Sequence, residues 1–180
     1  MCIRDRYIPL LKGIKVGLLV NATSMLGNKH LVDVLKEKNV NVTTIFAPEH
    51  GFRGDADAGQ KVDNTVDPIS RIPIISIYGS KKAPTQQDLA NIDVMIFDVQ
   101  DVGARFYTYL STLKYLMETC AEHKKPLILL DRPNPNGHFI DGPILEKELA
   151  SFIGILPIPI VHGMTSVSYT HLTLPTSDLV

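Results

Sequence analysis

The chain has 180 residues, 44% of them hydrophobic, with 18 basic against 19 acidic side chains and a formal net charge of −1. That is enough apolar chain for one core, and a near-neutral balance gives no field to draw in nucleic acid or an anionic membrane surface. No apolar run approaches the roughly 20 residues of a bilayer span, and two cysteines, Cys2 and Cys120, make neither a disulfide framework nor a thiolate metal site.

Strands and helices alternate along the chain. Residues 15–20 read as a strand, and 29–38 as a helix whose apolar positions are Leu31, Val32, Val34 and Leu35. A β-branched strand follows at 42–46, then a Gly- and Asp-rich loop to about residue 71. Residues 74–78 form the next strand, and 85–90 a short helix that Thr85 and Asp88 favour at its start. Then come a strand at 94–98 and a helix at 107–123 with Leu110, Leu113, Met117 and Cys120 on one stripe. A strand at 127–130 closes the series. Near-continuous apolar strands between helices predict an α/β fold, a Rossmann-like, mostly parallel sheet with helices on both faces. The glycines near the first strand, Gly13 and Gly17, precede or enter it, so there is no dinucleotide fingerprint after it. The loop at 49–71 is long for a compact domain, and its stretch 54–60 lacks a calcium-loop ligand pattern, so a substrate-facing flap is expected there.

Chemistry-bearing residues recur where apolar strands stop. Glu49, His50 and Arg53 follow 42–46; Asp98, Gln100, Asp101 and Arg105 follow 94–97; Asp131, Arg132 and Asn134 follow 127–130. A fourth apolar run, 159–161, enters His162. Structural caps favour Ser, Thr and Gly over this mixture, so one composite site at the carboxyl edge of the sheet is expected. Each residue has a plainer reading beside it. Glu49 and Arg53 can form a surface ion pair, Arg105 can bridge Asp98 or Asp101, Tyr107 and Tyr109 can be core, and His162 can be a satisfied core histidine.

The strings PEHGFRGDADAG at 48–59, FDVQDVGARFYTY at 97–109, DRPNPNG at 131–137 with DGP at 141–143, and VHGMT at 161–165 resemble the exo-β-N-acetylmuramidases of bacterial cell-wall recycling. The resemblance runs from about residue 11 to 165. It implies a Rossmann-like N-terminal catalytic domain, a smaller C-terminal domain and a cleft between them. It also implies release of N-acetylmuramic acid from the non-reducing end of peptidoglycan fragments, and a secreted or periplasmic protein. Such hydrolysis needs an acid for the leaving oxygen and a second group at the anomeric carbon. Glu49 is the first choice for the acid, desolvated by Phe46 and Phe52 and tuned by His50. The second carboxylate stays open among Asp101, Asp131, Asp141 and an acid after His162 that this chain lacks. Asp101 is taken with Glu49 and His50 as the catalytic set. Asp141 stands where the family more usually has Glu, which puts a catalytic role for it in doubt. For substrate the candidates are Arg53, Gln100, Arg105, Tyr107, Asp131, Asn134 and His162. Arg105 would hold the lactyl carboxylate bidentately, and Tyr107 and Tyr109 would stack on a sugar face. No metal or cofactor is expected, the partners are peptidoglycan-derived saccharides, and oligomeric state is not legible.

Residues 1–6 and 166–180 fall outside the family pattern and resemble translated sequencing-adapter ends. They are expected to be non-native, leaving 7–165 as a fragment whose C-terminal domain is missing. Residues 166–180 show no helical period and include Pro175, so no packing role is expected of them. Two rival functions remain. A noncatalytic saccharide-binding module would use the same polar groups. A magnesium-dependent phosphohydrolase would use Asp98, but it needs a second acid two residues later, where Gln100 stands.

Overall fold

Five of the six residues of β1 (Lys15–Val20) are buried, and all five of β7 (Val94–Asp98) are. These two are the centre of the sheet. The computed structural model describes residues 7–53 and 64–173. In chain order, β1 is followed by β2 (Met25–Leu26), β3 (Lys29–His30), α1 (Leu31–Glu37), β4 (Asn41–Ala47), β5 (Thr65–Val66), β6 (Pro73–Ser76), α2 (Gln86–Leu89), β7, α3 (Tyr109–Glu122), β8 (Leu127–Leu129) and α4 (Ser166–Thr173). The main sheet runs β5-β6-β4-β1-β7-β8. All its pairings are parallel except β5 on β6. Taken by chain order, the parallel strands lie 3-2-1-4-5, the doubly wound order, with the reversal between β1 and β7.

Side-chain alternation divides the core between the two faces. Val16, Leu18, Val20, Ile45 and Ile96 pack with Leu31, Val32 and Leu35 of α1. Leu19, Phe46, Met95 and Phe97 pack on the other face with Leu89 of α2 and Leu110, Leu113, Leu116 and Cys120 of α3. Helices therefore cover both faces, as expected. Gly17 lies at the middle of β1, where a Cβ would come within 2.5 Å of Met95 Sδ and 2.7 Å of Ile92 Cδ1. Only glycine lets those side chains cross the strand without displacement.

Several element bounds differ from the expectation for local reasons. The helix predicted from residue 29 starts at Leu31, because Met25–Leu26 and Lys29–His30 pair as a hairpin across Gly27-Asn28, with Gly27 at φ +63°. His30 Nδ1 accepts from Val32 N and caps α1, while Nε2 donates to Asn21 O. Burial, partly offset by that bond to Asn21, holds its pKa below the usual imidazole value. The helix predicted from residue 107 begins at Tyr109, since 104–108 turn first. On its inner side Leu116 is buried and Met117 only partly so. The loop at 49–71 is not structureless at its end: it holds β5 and a turn closed on Asp67. The expected flap stretch, 54–60, lies outside the described residues.

Two expectations fail. Residues 159–161 are no strand of the sheet. They belong to an irregular arm after β8, where Val161 bridges Ala104 and Asp141 singly. The described part of the segment after residue 165, residues 166–173, does pack. α4 seats Tyr169 with no exposure in the α3-side core, and Asp131 accepts from Thr165 Oγ1 and Val167 N at its start. One large aromatic supplies the burial that a missing amphipathic period had argued against. Among the described residues no helix is long and apolar enough to cross a membrane.

Candidate functional site

β4 ends at Ala47 and the chain turns sharply over 48–51, with Gly51 N donating to Pro48 O at 3.1 Å. His50 and Gly51 are both left-handed, at φ +69° and +77°. A non-glycine residue in that region stores strain, which the flanking strand has to hold. The turn presents the half-buried Glu49 between two hydroxyl donors. Tyr78 Oη donates to Oε1 at 2.8 Å and Thr108 Oγ1 donates to Oε2 at 2.8 Å. The bond to Glu49, then burial, raises the Tyr78 phenol above its ordinary pKa. Thr108 precedes α3 and makes no cap bond to it, so its side chain serves Glu49 instead. A carboxylate has about four acceptor positions. Two are used, leaving the rest for a ligand.

Above Glu49 lies an open hollow of about 220 Å³ lined by Glu49, His50, Phe106, Tyr107, Thr108 and Tyr109. Phe106 is 56% exposed and Tyr107 44%. Their ring centroids are 5.8 Å apart, and Tyr107 and Tyr109 are 6.4 Å apart. Exposed aromatic faces beside one firmly oriented carboxylate make an amphipathic wall with a polar floor, and the volume suits one ring-sized group. Tyr109 is raised by burial, against a lowering hydrogen bond with the Asn21 side chain. Phe46 and Phe52 do not shield Glu49 as expected. Phe52 packs in the α1-side core, edge-on to His30 at 4.7 Å, and Phe46 is fully buried on the other face.

Asp101 and His162 sit together, sealed away from this hollow. Asp101 is 3% exposed and His162 2%. His162 Nδ1 accepts from Met164 N at 3.2 Å, so its proton lies on Nε2, 3.4 Å from Asp101 Oδ2. The same Oδ2 accepts from Gly103 N at 2.8 Å, and His162 N donates to Gly103 O at 3.1 Å. Asp101 Oδ1, His162 Nε2 and the Tyr169 hydroxyl are buried without a hydrogen-bond partner among the described residues. Burial, with Asp101 and Glu118 adding to it, pushes the Tyr169 phenol up. The pair clasps the 101–105 loop that leads into the aromatic wall. It does not line the hollow.

The other candidates are distributed among structural contacts. Arg53 bonds Asp67 through Nε and Nη2, both at 3.1 Å, lies 3.5 Å from Asp33, and stacks over Phe52 at 4.6 Å. It pairs with Asp67 and not with Glu49. Burial opposes ionisation of Asp67, but hydrogen bonds from Arg53 and Ser70 overrule it and hold the carboxyl at about 2. Arg105 bridges neither Asp98 nor Asp101. Its Nη1 donates to the carbonyls of Pro143 and Ile158 and ties down the arm. Asp98 takes Arg132 on both oxygens, at 2.6 and 2.9 Å, which removes the open nucleophile a phosphohydrolase would need. Gln100 donates to the carbonyls of Asp101 and Pro133. Asn134 donates to Met164 O and lies against Gly103, whose missing Cβ leaves it room. Asp131 serves the start of α4, and Asp141 is exposed and bonds the Gly142 amide. Asp98 ends β7 and Asp131 and Arg132 follow β8 at its carboxyl end, whereas Asp67 lies beside the amino end of β6 and Asp141 in the arm. Of the candidates named from sequence, Glu49, His50, Tyr107 and Tyr109 line the hollow.

Tyr78, Thr108 and Phe106 were missed. Tyr78 follows β6 and obeys the same strand-end rule as Glu49, so that signal was available. Thr108 sits inside what reads as helix and Phe106 just before it, and nothing local marks them. Asn21, just after β1, is buried, with Oδ1 accepting from Thr23 N and Oγ1.

Fold and hollow together define a doubly wound, Rossmann-like α/β domain with an aromatic-walled carboxylate at the carboxyl edge of its sheet. The chain belongs to the family described as exo-β-N-acetylmuramidase NamZ, N-terminal, which matches residues 16–177. It is 48% identical over 162 residues to the peptidoglycan β-N-acetylmuramidase NamZ of Bacillus subtilis (strain 168), covering 88% of this chain and 39% of that protein. Two DUF1343 family proteins of Bacteroides fragilis NCTC 9343, known from crystal structures, superpose with TM-scores of 0.80 and 0.81 at 47% and 38% identity. Each superposition covers 91% of this chain and 42% of the other. The chain thus spans well under half the length of the relatives it matches.

Proposed function

We propose that the polypeptide to which this domain belongs is a glycoside hydrolase that releases N-acetylmuramic acid from the non-reducing end of peptidoglycan fragments. The observation that carries this reading is Glu49, held by Tyr78 and Thr108 on the floor of a hollow with exposed aromatic walls. The family description and the name of the Bacillus subtilis relative support the substrate class. A sugar ring offers apolar C–H faces to Phe106 and Tyr107 and its hydroxyls and glycosidic oxygen to the carboxyl. Glu49 protonates the leaving oxygen, with its rotamer fixed by the two hydroxyls, and His50 borders the same space. Among the described residues lining the hollow Glu49 is the one carboxylate, so the second group of the reaction is sought outside that lining. On this reading 7–165 belongs to an N-terminal catalytic domain, the isolated chain is inactive or nearly so, and the intact protein works where peptidoglycan is, secreted or periplasmic. Sequencing the uninterrupted gene tests whether residues 1–6 and 166–180 are foreign.

The assay is release of N-acetylmuramic acid from a muramyl disaccharide by the intact protein, with and without chelator. Glu49→Gln should keep substrate binding and lower turnover by about 10²-fold or more. Full activity in that variant would remove Glu49 from the mechanism, and binding without turnover in the intact wild type would favour a saccharide-binding module.

A further inference from the structure

Among the described residues, four other than glycine have a positive φ: Asn39, His50, Arg71 and Lys124. Asn39 and Lys124 release the chain from the ends of α1 and α3, a common use of the left-handed conformation. Arg71 closes the turn on Asp67. His50 ends no helix. It holds the third position of the 48–51 turn, where a positive φ ordinarily falls to glycine or asparagine. Either would sit there with less strain, so the advantage of histidine lies in its side chain. His50 borders the hollow, half-buried, and its ring has no hydrogen-bond or ion-pair partner among the described residues.

The arginines that could meet an anion are engaged elsewhere. Arg53 is held by Asp67, Arg105 by the carbonyls of Pro143 and Ile158, and Arg132 by Asp98. Among the described residues lining the hollow, His50 is therefore the one side chain that can carry positive charge. The titratable groups that share the space are Glu49, with the Tyr78 hydroxyl bonded to it, and the phenols of Tyr107 and Tyr109. Glu49 repels an entering anion when ionised, and the phenols are neutral.

We infer that His50 selects the acidic sugar: as an imidazolium it holds the lactyl carboxylate of N-acetylmuramic acid, the role expected of Arg105 from the sequence. This rests on the saccharide reading above and names what the hollow discriminates. Both imidazolium nitrogens donate, and a bond to a carboxylate oxygen is charge-assisted. The same positive charge offsets repulsion between the ligand's carboxylate and Glu49. Affinity and selection are thereby divided. Phe106 and Tyr107 offer apolar faces to any sugar ring, and His50 favours the ring that carries an acid.

Calorimetric titration of the intact protein with N-acetylmuramic acid and with its lactyl methyl ester tests it. The acid should bind about tenfold or more tighter than the ester, the scale of a hydrogen bond to a charged group. That preference should fade as rising pH takes the proton from the imidazole. Titration of Glu49 acts on the sugar ring common to both ligands, so the ratio of affinities isolates the carboxylate. His50→Asn suits the left-handed turn and should keep or raise the melting temperature while binding acid and ester about equally. His50→Lys, cationic through the whole range, should restore the preference and flatten its pH dependence. Equal binding of acid and ester by the wild type would overturn the inference, as would a preference that survives His50→Asn or a failure of either ligand to bind. The hydrolase reading fails separately. A protein that selects the acid but releases no sugar from a muramyl disaccharide keeps this inference and loses that reaction, and turnover indifferent to the carboxylate does the reverse.

Discussion

Glu49 and Asp101 both follow an apolar parallel strand, both have a histidine nearby, and both lie at the carboxyl edge of one sheet. Their surroundings differ in kind. Glu49 faces an open hollow, with each oxygen held by one hydroxyl and acceptor capacity left over. Asp101 is closed in with His162, and its contacts go to the loop it belongs to. The difference follows from what covers each strand end. The arm after β8, fastened by Arg105 to the carbonyls of Pro143 and Ile158, lays His162 over Asp101. Over Glu49, among the described residues, stands the aromatic wall. Polarity at a strand end marks a place where chemistry is possible, and the covering segment decides between reactivity and scaffolding.

The sharpest way to break this comparison is to neutralise each acid in the intact protein. Glu49→Gln should cost about 10²-fold or more in turnover, close to 2.7 kcal/mol in the barrier, with thermal stability within about 0.5 kcal/mol of wild type. Asp101→Asn should show the opposite balance. A buried amide in place of a carboxylate shared by Gly103 and His162 should lower stability by about 1–3 kcal/mol, read as a fall in melting temperature of several degrees. Substrate turnover at a temperature where the variant is folded should fall less than in Glu49→Gln. A catalytic collapse in Asp101→Asn without loss of stability would move Asp101 into the reacting site.

Arg53 stands within the Glu49 string yet belongs with the scaffold, and pH separates the two roles. The Asp67 carboxyl is held at about 2, below its ordinary 3.8, so its ionised form favours the folded state. That contribution is present above 3.8, is lost as pH falls through about 2, and amounts to about 2 kcal/mol at most. In Arg53→Ala the acid limb of the stability profile should flatten in that window. An unchanged limb would mean the pair contributes nothing in solution. The smallest effect concerns the third buried group without a partner. Tyr169→Phe removes a hydroxyl that has no hydrogen bond, so stability should stay level or rise by about 1 kcal/mol. A clear loss in calorimetry would show that the hydroxyl is satisfied after all.

Much of this was legible along the chain. The bounds of β1 and β7 coincide with the predicted strands, and α/β alternation predicted a parallel sheet covered on both faces, because burial on both sides demands unbroken apolar runs. The long strings shared with the muramidase family pointed to the family. Glu49, His50, Tyr107 and Tyr109, which line the hollow, were legible as candidates because the loops that follow apolar strands can be read locally. The partners were not. Whether Arg53 reaches Glu49 or Asp67, whether Arg105 meets a ligand or two carbonyls, and whether Thr108 caps a helix or holds a carboxylate depend on segments distant in sequence. Tyr169 makes the same point for folding, since burial against α3 forms a helix where the local pattern predicts none. Periodicity and strand-end chemistry are encoded within a few residues and can be read from them. Ion-pair choice, sealing and exposure are set by what the rest of the fold lays on top, and only the tertiary structure decided those.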